Sequence, residues 1–139
     1  MIKEKDVIRM KIPYPGINSV LASKVHMYIC KKSLNDLKHF VKCQTFKPYM
    51  IYGASPLINN YIIENSDLQR NPFNHTTLID CDKIFTSCKC KYDLKMRTTS
   101  RTDICDDLFN KILSKSNFGT EIEMDKKDLQ TINGLITNI

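Results

Sequence analysis

The stretch Ile84-Phe-Thr-Ser-Cys-Lys-Cys-Lys-Tyr-Asp-Leu-Lys-Met-Arg97 alternates from end to end. Ile84, Thr86, Cys88, Cys90, Tyr92, Leu94 and Met96 share one parity, and Ser87, Lys89, Lys91, Asp93, Lys95 and Arg97 share the other. Successive side chains of a strand point to opposite faces, so this is the pattern of one long strand, or two joined by a bend, with one face buried. The parity sets Cys88 and Cys90 on the apolar face, where a thiol packs as a small hydrophobe.

Shorter alternations lie upstream. Val7–Ile12 places Ile8, Met10 and Ile12 on one side and Val7, Arg9 and Lys11 on the other, and Pro13 ends it. Pro13-Tyr-Pro-Gly-Ile-Asn-Ser19 is loop chemistry, and Val25–Lys31 is a second strand. Ser33–Lys38 reads as a helical turn or a connection, and Phe40–Thr45 as a third strand. Between residues 51 and 73, Gly53, Ser55-Pro56, Asn59-Asn60 and Asn71-Pro72 punctuate short apolar pieces, which gives a loop holding one short strand. Downstream, Ser100-Arg-Thr-Asp103 fits a capping box before Ile104, Leu108, Phe109, Ile112 and Leu113, predicting a helix over 101–115. Asp125 and Asp128 can open a last short helix carrying Leu129, Ile132, Leu135 and Ile136, which Gly134 weakens by about 1 kcal/mol. Strands first and helices last suggest a small barrel capped by a helix.

A chain of 139 residues is the size of one ordinary domain with a core of its own, and a single domain over 1–139 is expected. No apolar run is long enough for a membrane span and the first residues are charged, so the expected setting is soluble and cytoplasmic, where Cys30, Cys43, Cys81, Cys88, Cys90 and Cys105 stay free thiols. Their spacing lacks the paired Cys-x2-Cys of zinc ribbons, so no metal is expected. The formal charge of +6 is uneven: residues 1–50 hold ten Lys/Arg against three Asp/Glu. Six further cations fall between Lys83 and Arg101, opposed only by Asp93. A polyanion suits such a surface, and so does plain solvation.

The phosphate-binding Gly-rich loop, the Gly-x-Ser-x-Gly elbow and His-Glu-x-x-His are all missing, which leaves nucleotide, serine and zinc hydrolysis and cofactor chemistry without a motif. The order of Lys5-Asp-Val-Ile-Arg-Met-Lys-Ile-Pro-Tyr-Pro15, Ser23-Lys-Val-His-Met-Tyr-Ile-Cys30, Lys42-Cys-Gln-Thr45 and Thr77-Leu-Ile-Asp-Cys-Asp-Lys-Ile-Phe85 resembles the MazF/PemK-like endoribonucleases of type II toxin–antitoxin systems. The resemblance covers about 110 residues in short segments. It implies a small SH3-like barrel and a homodimer that cuts single-stranded RNA without a metal or other cofactor, the ribose 2′-hydroxyl attacking the phosphate. It also implies a cognate antitoxin as protein partner.

By that resemblance Lys24 stands where the family has an arginine entering the second strand, and Thr45 where it has a Thr or Ser ending the third. Lysine is a point charge rather than a planar fork, and Val25 replaces the family's proline. Ser19 falls in the loop that approaches RNA and is equally plain turn chemistry. The implied catalytic set is Lys24, Thr45 and Ser19. Beside it, the residues themselves offer an RNA-binding set from strand ends, a loop aromatic and basic strand positions: Lys11, Tyr14, Ser23, His26, Lys42, Gln44 and Lys47, with His26 readable as acid, base or packed strand residue. Three functions follow as expectations: a metal-independent endoribonuclease, a catalytically silent RNA-binding domain, and a module that holds a partner's peptide.

Overall fold

The computed structural model describes residues 1–54 and 56–139, so the Ser55 half of the Ser55-Pro56 break lies outside the described residues. Eight strands and three α-helices follow in order: β1 Val7–Met10, α1 Val20–Ser23, β2 His26–Leu34, β3 Leu37–Thr45, β4 Tyr61–Glu64, β5 Thr77–Ser87, β6 Cys90–Tyr92, α2 Asp106–Lys115, β7 Thr120–Glu123, α3 Lys126–Ile132 and β8 Ile136–Asn138. The main sheet runs β1-β2-β3-β5-β4, all antiparallel, with β7 added parallel to β5. β6 and β8 pair as a separate antiparallel ribbon. The architecture is mainly β with helices, as expected. Among the described residues the sheet path ends openly at β1 and β4, so the pairing draws no closed barrel.

Each face of the sheet builds its own core. On the first face Ile8, Met10, Tyr28, Cys30, Phe40 and Phe85 pack beneath Tyr92 of β6, Leu129 of α3 and Ile136 of β8. On the second, Val7, Ile29, Val41, Cys43, Ile79, Cys81 and Ile84 lie under Leu108, Phe109 and Ile112 of α2. Fully burying one such side chain stabilises the fold by about 1.5–3 kcal/mol. Being covered on both sides is why β1 to β3 carry apolar residues at both parities, where a half-exposed sheet would alternate cleanly.

The opening stretch departs from its expected single buried face. β5 begins at Thr77, seven residues before the alternation at Ile84, and its pairing with β3 shifts between Phe40↔Phe85 and Lys42↔Asp80. It ends in a turn at Cys88-Lys89, where Lys89 takes a positive φ of 57°. The turn changes the phase: Ile84 packs on the second face while Cys90 and Tyr92 pack on the first. Cys90 is buried as expected, but Cys88 is exposed at the turn.

Other expectations are also corrected. The loop from Pro13 closes on one helical turn at residues 20–23, capped by Ser19. Ser33–Lys38 is neither helix nor loose connection, because β2 and β3 run into a two-residue hairpin at Asn35-Asp36, with Asn35 at φ 56°. The helix expected over 101–115 starts at Asp106 and has Cys105 as its N-cap, with no side-chain cap. The backbone before it is spent elsewhere: Asp103 bridges Asp6, the Ile104 N–H donates to Lys5 O and the Cys105 N–H donates to Arg70 O. Asp125 does cap α3, accepting from the Asp128 N–H at 2.9 Å, but Ile136 leaves the helix for β8. Among the described residues no helix is long and apolar enough to cross a membrane.

Candidate functional site

The ribbon and α3 cover only one end of the first sheet face. From the core residue Tyr28 outward, the register sets Tyr28 opposite Lys42, and Lys42 opposite Asp80. His26 and Gln44 share the parity of Tyr28 and Lys42, so the sheet brings five polar side chains to one face of three neighbouring strands. The Lys42 ammonium donates to Gln44 Oε1, and the Gln44 amide in turn reaches Met50 Sδ at 3.4 Å. Tyr14, in the loop after β1, packs edge-on against Phe85, with ring centroids 5.7 Å apart.

The electrostatics of this cluster are unusual. Burial, then the nearby Lys42 charge, pushes the His26 imidazole below its ordinary value, so the ring is neutral at neutral pH. Burial lowers Lys42 despite the opposing pull of Asp80, and raises the Asp80 carboxyl and the Tyr28 phenol. Lys83 lies 3.9 Å from Asp80 Oδ2. Three buried side-chain polar atoms among the described residues have no hydrogen-bond partner, and two of them are His26 Nδ1 and Tyr28 Oη. An unpaired polar atom in a core costs about 1–3 kcal/mol, so two in one cluster need a reason beyond packing. A neutral imidazole with a free nitrogen, a protonated phenol and an ammonium are the parts of general acid–base catalysis.

Thr45 has the opposite parity and stands on the other face, across from Thr77. It lines a pocket of about 200 Å³ with Val25, Met27, Phe73 and His75, which His26 and Gln44 also border. The Ser19 hydroxyl is occupied locally, donating to Gly16 O at 2.7 Å and accepting from the Ala22 N–H at 3.3 Å as the cap of α1. Ser23 donates to Val20 O at 2.9 Å. Lys24 ends α1 and Lys47 follows β3, both exposed. Lys11 is tied through its backbone, its N–H donating to Asn133 Oδ1 at 2.9 Å. The expected residues therefore divide: His26, Lys42 and Gln44 share one face near Tyr14, while Lys24, Thr45, Ser19 and Ser23 lie at the strand ends.

A second feature had no signal beyond net charge. Arg9, Lys95 and Arg97 line a cleft of about 380 Å³ together with Val25, Thr98 and Asn133. The isolated bridge between Ile8 and Arg97 lays this chain segment along the free edge of β1. Among the described residues none of these three cations makes an ion pair, whereas Lys5, Arg70, Arg101 and Lys111 all do. Val25 lines both this cleft and the Thr45 pocket, so the two are neighbours. Tyr28, Asp80, His75, Arg9 and Lys95 were not singled out in the sequence as site residues. Tyr28 reads there as strand interior, and Asp80 falls in a segment quoted for the resemblance.

Comparison with protein-family models, characterised proteins and solved structures gives no match for this chain. The likeness to MazF/PemK-like proteins rests on the quoted segments alone.

Proposed function

We propose that the chain binds single-stranded RNA and cleaves it without a metal, the strand running through the Arg9–Arg97 cleft past Val25 to the His26–Lys42 cluster. The carrying observation is the half-buried His26 imidazole, held neutral by burial and by the nearby Lys42 ammonium at the border of the Thr45 pocket. In this reading neutral His26 takes the proton of the ribose 2′-hydroxyl, whose oxygen forms the new bond to phosphorus. Lys42 offsets the charge gathering on the phosphate, and a solvent water protonates the departing 5′-oxygen, leaving a 2′,3′-cyclic phosphate. Arg9, Lys95 and Arg97 contact the backbone, which gives affinity without sequence preference. The resemblance adds the wider role: a cytoplasmic homodimeric toxin of the MazF/PemK-like kind, whose antitoxin occupies the same cleft.

The test is a mixed-sequence single-stranded RNA incubated with the protein in EDTA, followed by mapping of product ends. Discrete cuts ending in cyclic phosphate, lost in His26→Gln and Lys42→Gln but retained in Ser19→Ala, support the reading. RNA that is held but stays whole would leave binding alone. That second reading has its own support, since Ser19 is consumed in a cap and the unpaired cations lie apart from the cluster.

A further inference from the structure

The cationic residues counted as surface charge include one that is not on the surface. Lys38, the second residue of β3, is only 2% exposed. It sits opposite Ser87 of β5 and shares a face with Phe40. Among the described residues its ammonium makes one hydrogen bond, to the Asn35 carbonyl at 3.0 Å, and no carboxylate reaches it within ion-pair distance. Burying a charge with a single neutral acceptor is costly, and an ammonium has three protons to place.

Lys38 lines the largest of the described cavities, about 700 Å³, bounded mostly by the β6–β8 ribbon, the segments beside it and the first two residues. Most of its wall is apolar: Ile2, Cys90, Leu94 and Leu135, with the Tyr92 ring beside Lys38. The Tyr92 hydroxyl is already engaged with the Ser87 hydroxyl at 2.6 Å; Lys91 also lines the cavity but is exposed to solvent, so Lys38 is the buried cation of the wall. Two acids lie in the neighbourhood. Asp93 lines the cavity, but its Oδ1 accepts the Lys95 N–H at 2.8 Å. Asp6 is buried on the same sheet face near Cys30 with its Oδ1 unpartnered, but it lies beyond ion-pair distance of Lys38 and does not line the cavity. The volume is in the range of small-molecule sites, which combine apolar walls with a few polar anchors.

We infer that this cavity is a binding site for a small amphipathic carboxylate, its headgroup pairing with Lys38 and its hydrocarbon tail lying against Ile2, Leu94 and Leu135. The site lies apart from the His26–Lys42 cluster and goes beyond RNA chemistry. The anion supplies the charge that the protein withholds from Lys38, and the tail fills apolar volume that water occupies poorly.

Decanoate and decanol, which match in tail and differ in charge, are titrated into the isotopically labelled full chain while backbone and methyl resonances are followed. Decanoate is expected to shift Ile2, Leu94 and Leu135 and to bind at least about tenfold more tightly than decanol. Lys38→Met should bring decanoate down to the level of decanol, and Leu135→Trp, a change at a half-exposed rim position, should exclude both. Equal affinity of the wild-type chain for the two compounds, or shifts confined to other residues, overturns the inference. That comparison needs no variant to fold.

Discussion

His26 is held neutral by burial and by Lys42, and this has consequences with a definite sign. Its folded value lies below the ordinary 6.5, so between the two the unfolded chain binds more protons than the native one. Its contribution to stability is complete above the ordinary value, declines as pH falls through 6.5, and levels off below the native value. His39 is shifted the same way by burial and adds to the loss. Denaturant titrations at pH 7 and pH 5 should show the drop, reduced in His26→Gln. Cleavage, if His26 is the base, should have its acid limb below 6.5. The thiols separate as cleanly. Cys88 is exposed, Cys30, Cys43, Cys81 and Cys90 are buried, and burial raises Cys30 and Cys81 to about 12. Brief alkylation of the native protein followed by peptide mapping should mark Cys88 first and leave the four buried thiols unmodified. Prior marking of Cys90 would contradict the β6 packing. Residue types foretold little of this, since Cys88 and Cys90 differ only in which side of a positive-φ turn they occupy.

At the scale of elements, the most constrained join is where α2 returns to β7. A Cβ on Gly119 would come 2.8 Å from Cys81 O and 3.0 Å from Ile84 Cγ1. The first of these is backbone of β5 and cannot swing aside. Gly119→Ala should therefore cost about 1–3 kcal/mol, read as a lower denaturation midpoint, whereas Gly134→Ala meets nothing within 4 Å. α3 has two separable supports. Removing its cap in Asp125→Ala should cost about 1 kcal/mol, and emptying its anchor in Leu129→Ala about 2–5 kcal/mol, because Leu129 is fully buried in the first-face core. If Leu129→Ala proves as mild as Asp125→Ala, α3 does not seal that face. Alternation identified β1, β2 and β3, and an acidic cap identified α3, because these signals are local. β7 and β8 are three or four residues long and become strands only by pairing with β5 and β6.

For the whole molecule, the decisive property is how unpaired charge is distributed. Arg9, Lys95 and Arg97 come from two segments nearly ninety residues apart in the chain and meet in one cleft. Neutralising any cation that touches a phosphate should weaken RNA binding for every sequence alike and lower the salt slope by about one. Arg9→Gln with Arg97→Gln, measured at several salt concentrations, should show this, and an unchanged slope would remove the cleft from the RNA path. The sequence by itself determined the β-rich class, the first three strands, the last helix and the basic excess, since alternation, capping and charge are written in neighbouring residues. Only the tertiary structure decided which residues share a surface. The pairing shift in β5 and the turn at Cys88-Lys89 reset which parity faces which core, and a sheet buried on both sides erases the polar alternation that would reveal its faces. Thus His26, Tyr28, Lys42 and Asp80 meet through strand register, and Lys38 is withdrawn from water by a ribbon formed more than fifty residues further along the chain.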